Sequence, residues 1–190
     1  MNYAKYYDLE SYLFSDVHKF FHDNYYLSAA DFFCIIIWKA NRAKSKIAKK
    51  IHRIGKKKYK NLDEIVKQIT NALYKAGSHE KRMGVLIGEW KFRLPIASAI
   101  LTVLYPNNFT VYDVRVCNYL KNENFHGLRN RRWSESLWSD YQAFIQAVKS
   151  DDNTPRGLTL RQKDRWIWGK SFFEDLLNDI DNNFALRGKK

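Results

Sequence analysis

The sequence predicts an all-α protein on three observations. Apolar side chains recur at helical spacing along most of the chain, favoured N-cap residues stand in front of those stretches, and no strand–helix alternation suggests a βαβ unit. The 190 residues suffice for one domain with a substantial core, and 45% hydrophobic and 16% aromatic residues supply the material for it. One helical domain over 1–190 is therefore expected.

The elements follow in order. Residues 8–25, "DLESYLFSDVHKFFHDNY", place Leu9, Tyr12, Leu13, Val17, Phe20 and Phe21 on one helical face behind the cap candidate Asp8. "FFCIII" has the local propensity of a strand, but Ile47, Ile51 and Ile54 continue an apolar stripe at helical spacing, so helices are expected over 28–38 and 41–54. "NLDEIVKQITNALYKAG" reads as a helix capped by Asn61, with acids in its first turn and Gly77 at its end. Ser78 caps the next, "SHEKRMGVLIGEW", and Pro95 starts "PIASAILTVLY". Asn107 and Asn108 turn the chain before "FTVYDVRVCNYL". "SESLWSDYQAFIQAVKS", a polar loop "DDNTPRG" and the long "LTLRQKDRWIWGKSFFEDLLNDIDNNF" complete the helices, and the basic tail 185–190 is expected to fray.

Charge narrows the partner class. Lys and Arg outnumber Asp and Glu by 33 to 20, a formal net charge of +13. Such a field attracts polyanions, and nucleic acid leads among them. Between Lys39 and Lys60 stand 11 Lys or Arg residues without one acid, and "RNRRW" at 129–133 forms a second basic cluster. Either alone reads as a solvated basic face; together they favour a phosphate backbone. No stretch is long enough to cross a bilayer, the N-terminus has neither a lipidation nor a signal-peptide pattern, and no membrane partner is expected. Cys34 and Cys117 sit beside apolar neighbours without a CxxC pattern, so reduced thiols in a cytoplasmic protein are expected, with no cluster or other cofactor. His18 and His22 lie four apart on a helix, but no third ligand is evident and no metal site is expected.

One carboxylate stands out. Asp113 lies in the hydrophobic run "FTVYDVRV", directly after the apolar helix "PIASAILTVLY". It reads as the N-cap of "VRVCNYL" or as a catalytic group, and the two roles are compatible. Trp166 and Trp168 in "DRWIWGKSFF" read either as core residues or as rings on which a base could stack.

The stretch from "ASAIL" at 97–101 to "FTVYDVRV" at 109–116 resembles the helix-hairpin-helix DNA glycosylase superfamily, in its 8-oxoguanine-glycosylase-like branch and its bacterial anti-phage members. In that family a Leu-Pro-Gly-Val-Gly-x-Lys-Thr-Ala hairpin leads into an apolar helix, and an aspartate segment of the form Val-Asp-x-x-Val follows. The likeness covers about 28–120 and is strongest over 94–116. It implies two helical lobes around a DNA-binding cleft, Asp113 in the catalytic position, and Asn41 near the position that fills the gap left by an extruded base. The hairpin, over about 88–98, departs from the pattern: "EWKFRLPIA" puts Lys91 and Arg93 where glycines usually stand. Pro95 occupies the place of the Schiff-base lysine, and a proline has no amine to form an imine.

The resemblance thus implies a monofunctional DNA N-glycosylase. It would flip a modified base from duplex DNA as a monomer and leave an abasic site, in repair or in defence against phage DNA. The chemistry suits one aspartate, because breaking an N-glycosidic bond builds positive charge on the sugar that a carboxylate stabilises. Lys39, Asn41, Arg42, Lys44, Lys91, Arg93 and Arg115 are the expected DNA contacts, and Tyr112, Trp133, Trp166 and Trp168 the candidate base pocket. The rival expectation is a non-catalytic DNA-binding protein on a degenerate glycosylase scaffold. An RNA-binding or toxin-type protein is the third.

Overall fold

A computed structural model describes residues 3–184, all helix and connection with no strand among them; the tail expected to fray, 185–190, lies outside the described residues. A short 3-10 turn, Tyr3–Tyr6, precedes α1 (Leu9–Tyr12), a π-helical turn (Leu13–Val17) and α2 (His18–Asn24), which run on as one rod. Asp8 caps it by accepting from the Ser11 N–H at 3.1 Å, and Tyr25, at φ 70°, ends it in the left-handed conformation. The π turn widens the rod where Leu13 and Val17 both enter the core.

"FFCIII" is helical. In α3 (Ala29–Ala40) Phe32, Ile35 and Ile36 fall on one buried face, so tertiary burial overrides the local β preference. The next helix begins later than 41: a 3-10 turn, Asn41–Ala43, separates α3 from α4 (Lys44–Gly55). α4 buries only Ile47, Ile51 and Gly55, one residue per turn, which leaves its cations facing outward. α5 (Leu62–Lys75) starts where Asn61 accepts from the Glu64 N–H at 2.9 Å. α6 (His79–Gly84), capped by Ser78, passes into a second π-helical turn, Val85–Glu89.

α7 (Leu94–Leu104) is the axis of the protein. Every residue in it except Pro95 is buried, including Ser98 and Thr102, whose hydroxyls donate to carbonyls of their own helix, and it packs against α3, α2 and α6. Its C-terminal carbonyls, which lack partners within the helix, are taken up by two histidines of α2. The His18 Nδ1 lies 2.9 Å from the Val103 oxygen and the His22 Nε2 2.8 Å from the Leu104 oxygen, so the spacing of "HKFFH" serves a helix end.

Beyond α7 come α8 (Val114–Leu120), α9 (Glu123–His126), a 3-10 turn (Gly127–Asn130), α10 (Glu135–Lys149), α11 (Leu160–Asn178) and a π-helical turn (Asp179–Phe184). α9 and its 3-10 turn went unread in the sequence because they are too short to establish a period. α11 lies along α8, and a capping box of Thr159 and Gln162 starts it. The buried side chains form one cluster running from Tyr12 to Ile167. No helix among the described residues is long and apolar enough to cross a membrane.

Candidate functional site

Asp113 is presented by an extended segment whose backbone groups are held from three directions. The Tyr112 N–H donates to Ser98 Oγ of α7 at 2.9 Å. Tyr141 of α10 donates its hydroxyl to the Thr110 carbonyl at 2.6 Å. Asp164 of α11 accepts from the Val111 N–H. A buried segment outside any helix or sheet needs such partners, and each comes from a different helix. The segment ends in a cap: Asp113 Oδ1 accepts from the Arg115 N–H at 2.9 Å and starts α8.

The other oxygen of Asp113 forms an ion pair with Lys39 at the end of α3, with only 12% of the lysine side chain and 21% of the aspartate exposed. Burial pushes the Asp113 carboxyl up, but the charge and hydrogen bond of Lys39, joined by the Arg115 N–H, outweigh it and hold the group below the usual carboxylate value. Asp113 is therefore anionic at neutral pH in a partly dry setting.

The pair lies on the wall of a cavity of about 350 Å³ between α1, α3, the extended segment ahead of α8, and α11, whose lining includes Trp38, Val111, Arg161 and Trp168. The cavity charges compensate one another. Arg161 bridges Glu10 and Asp164, Arg165 reaches Glu10 at 3.1 Å, and the Arg161 guanidinium lies over the rings of Phe14 and Trp38. Asp164 is 3% exposed; its burial raises its carboxyl pKa against the pull of Arg161.

The surface around the connection from Glu89 to Leu94 is different. Lys91 sits at φ 57°, so the tight left-handed turn forms without a glycine. The Lys50 amine of α4 donates to the Lys91 carbonyl at 2.9 Å, and Arg93 donates to Asn130 Oδ1 at 2.9 Å. These two contacts draw the basic helix, the connection and the 129–132 cluster into one surface. Burial, then the nearby charges of Arg93, Lys46 and Arg53, lower the pKa of Lys50.

The remaining candidates are scattered. Asn41 is exposed, and its Oδ1 accepts from the Lys44 amine at 2.6 Å; Arg42 is exposed beside them. Arg115 pairs with Asp175, and its guanidinium lies over Trp168 and Phe172. Of the four aromatics expected in a base pocket, only Trp168 lines the cavity. Tyr112 is buried and donates its hydroxyl to the Phe125 carbonyl. Trp133 packs on the flat faces left by Gly84 and Gly88, where an added Cβ would stand 3.2 Å from its ring, and Trp166 meets Tyr119 edge-on. Cys117 is buried, which pushes its thiol up to about 11, and half-buried Cys34 is also raised by burial. No group of three or more His, Cys, Asp or Glu side chains among the described residues is arranged to share a metal ion.

Sequence reasoning missed Ser98, Trp38, Arg161 and Asp164. Only Ser98 left a trace, as one of two polar residues, with Thr102, in a largely apolar helix. Compared with protein-family models, curated proteins and solved structures, the chain matches none.

Proposed function

We propose that the chain is a DNA N-glycosylase that hydrolyses the bond between a modified base and its sugar and leaves an abasic site. The observation that carries this reading is Asp113 itself: an ionised, half-buried carboxylate on the wall of a cavity, with a crowded cationic surface on the same chain. Such a carboxylate stabilises the positive sugar that forms as the base leaves, and orients the attacking water. A base must leave the helical stack to reach it, and the cavity is of the order that an extruded base needs. The left-handed turn at Lys91, just ahead of α7, supports the hairpin reading, with side-chain cations replacing part of the backbone N–H contact to phosphate.

Purified protein and its Asp113→Asn variant, incubated with duplexes bearing damaged, mismatched and phage-type modified bases and then treated with alkali, test the proposal. Strand cleavage by the wild type and at least about a thousandfold less by the variant is the expected result, with DNA affinity retained. Equal cleavage by both proteins refutes it. Lys39 brings an amine beside Asp113, so borohydride added during the reaction reads imine formation; the monofunctional reading expects no trapped adduct.

A second reading, a non-catalytic DNA-binding protein, is favoured by one observation. Both oxygens of Asp113 are engaged, one by the Arg115 N–H and one by Lys39, as in a structural cap. It expects salt-sensitive binding and no abasic product on any duplex.

A further inference from the structure

Beside the cavity mouth, α11 presents an aromatic surface that the base-removal step does not use. Trp168 and Phe172 stand one turn apart with ring planes parallel within 6° and centroids 5.5 Å apart, and they remain 41% and 43% exposed. The Arg115 guanidinium lies 5.7 Å from the first ring centroid and 5.4 Å from the second, and its ion pair with Asp175 holds it there. Exposed large apolar residues are ordinarily scattered, whereas here two are aligned and fixed by a cation. Trp168 belongs to this surface and to the cavity lining alike, so the two are continuous.

We propose that the Trp168–Phe172–Arg115 surface is a stacking platform for an unpaired nucleobase adjacent to the one that enters the cavity. The proposed glycosylase then prefers a modified base flanked by an unpaired nucleotide, in a single strand or a locally opened duplex, over the same base in a fully paired duplex. The chemistry selects this occupant. A nucleobase stacks on indole, phenyl and guanidinium planes alike while its phosphate stays in water, drawn by the field of a chain carrying +13. An aliphatic protein surface laid over the same patch would strip water from Arg115 and Asp175 without returning hydrogen bonds.

The inference rests on the nucleic-acid reading of the site, and its test reads binding alone. Fluorescence anisotropy with a labelled single strand, a fully paired duplex and a duplex carrying a short unpaired bulge compares the wild type with Phe172→Ala and Phe172→Tyr. The expected result is tighter wild-type binding to the single strand and the bulge than to the duplex. Phe172→Ala should lose about tenfold on the first two, with duplex affinity held within about twofold and Phe172→Tyr close to wild type. Equal affinity of wild type and Phe172→Ala for the bulged duplex overturns the platform, even where Asp113-dependent base release persists. A sedimentation experiment in which the wild type is a dimer and Phe172→Ala a monomer also overturns it, because a second copy then covers the surface. Platform-dependent binding without any base release leaves the inference standing and removes the glycosylase reading instead.

Discussion

The cavity and the basic surface handle charge in opposite ways. In the cavity every cation has an acid: Lys39 with Asp113, Arg161 with Asp164 and Glu10, Arg165 with Glu10. On α4 no acid among the described residues lies within ion-pair distance of Lys46, Lys49, Lys50 or Arg53. Compensation inside is required, because an unpaired ion in a dry setting is costly to keep charged. Its absence outside has no such cause. Uncompensated cations crowd one another, lower the stability of the fold and gain only when an anion arrives. The cavity thus keeps its charges fixed by pairing them, and the surface leaves its cations open to an anion.

The largest effect expected from breaking this contrast is on the surface. Replacing Lys46, Lys49 and Arg53 together with Gln removes exposed cations that have no acid within ion-pair distance among the described residues. Nucleic-acid affinity should fall by about one to two orders of magnitude at physiological salt, and the slope of log affinity against log salt should become shallower by about 2 to 3. Thermal stability should hold or rise slightly. A calorimetric scan and a salt titration read both; a large fall in melting temperature would mean that these cations have structural partners.

Inside, the comparison sharpens at Ser98. Its hydroxyl accepts the Tyr112 N–H and so ties the segment carrying Asp113 to α7. Ser98→Ala leaves that N–H buried and unpaired, at a cost of about 1 to 3 kcal/mol, and loosens the carboxylate. Denaturant unfolding should register the cost, and base release should slow while nucleic-acid binding, which depends on the surface, stays level.

The pairing of Lys39 with Asp113 governs pH dependence. Because the folded-state pKa of Asp113 is lowered, its contribution to stability is fully present above the unfolded value of about 3.9 and is lost as pH falls through the folded one. Lys39→Met removes the main opposing influence and leaves burial, so the carboxyl rises. The acid limb of base release should then move to higher pH, and the variant should lose stability most at neutral pH, where the buried carboxylate is ionised without its lysine, and regain part of it as pH falls. A pH profile with its limb unmoved would show that Asp113 is not the group that must be ionised.

The sequence made the helices legible wherever a cap and an apolar stripe coincided, as at Asn61 with Ile65 and Ile69, or at Ser28 with Ile35 and Ile36. Asp113 was legible for the same local reason: a cap residue in an apolar run. Its partner was not, since Lys39 is 74 positions away and read in sequence as one more cation of a basic stretch. The same holds for Asp164, which looks like a surface acid in "RQKDRW" until the packing of α11 buries it against Val111. Periodicity reports which face of a helix goes inward, whereas the pairing of charges across helices depends on how those faces meet. The break between α3 and α4 was read a few residues early, with helices expected over 28–38 and 41–54, because α4 starts at Lys44 behind Ala43, which offers no side-chain cap to mark the start.

The smallest expected effect lies where fold and surface share one residue. Lys91 holds a left-handed conformation at φ 57°, which disfavours any residue with a Cβ by about 1 kcal/mol, and its carbonyl accepts the Lys50 amine. Lys91→Gly relieves that strain while leaving the carbonyl in place. The greater freedom of glycine in the unfolded chain offsets part of the gain, so unfolding free energy should rise by no more than about 1 kcal/mol. One cation leaves the surface in the same step, and the salt slope should fall by about 1. Stability and affinity thus move in opposite directions from a single substitution, which is what a residue kept for its charge rather than for its backbone should do. A glycine variant that loses stability would mean that the Lys91 side chain, through its amine on the Gly88 carbonyl, holds the turn closed instead.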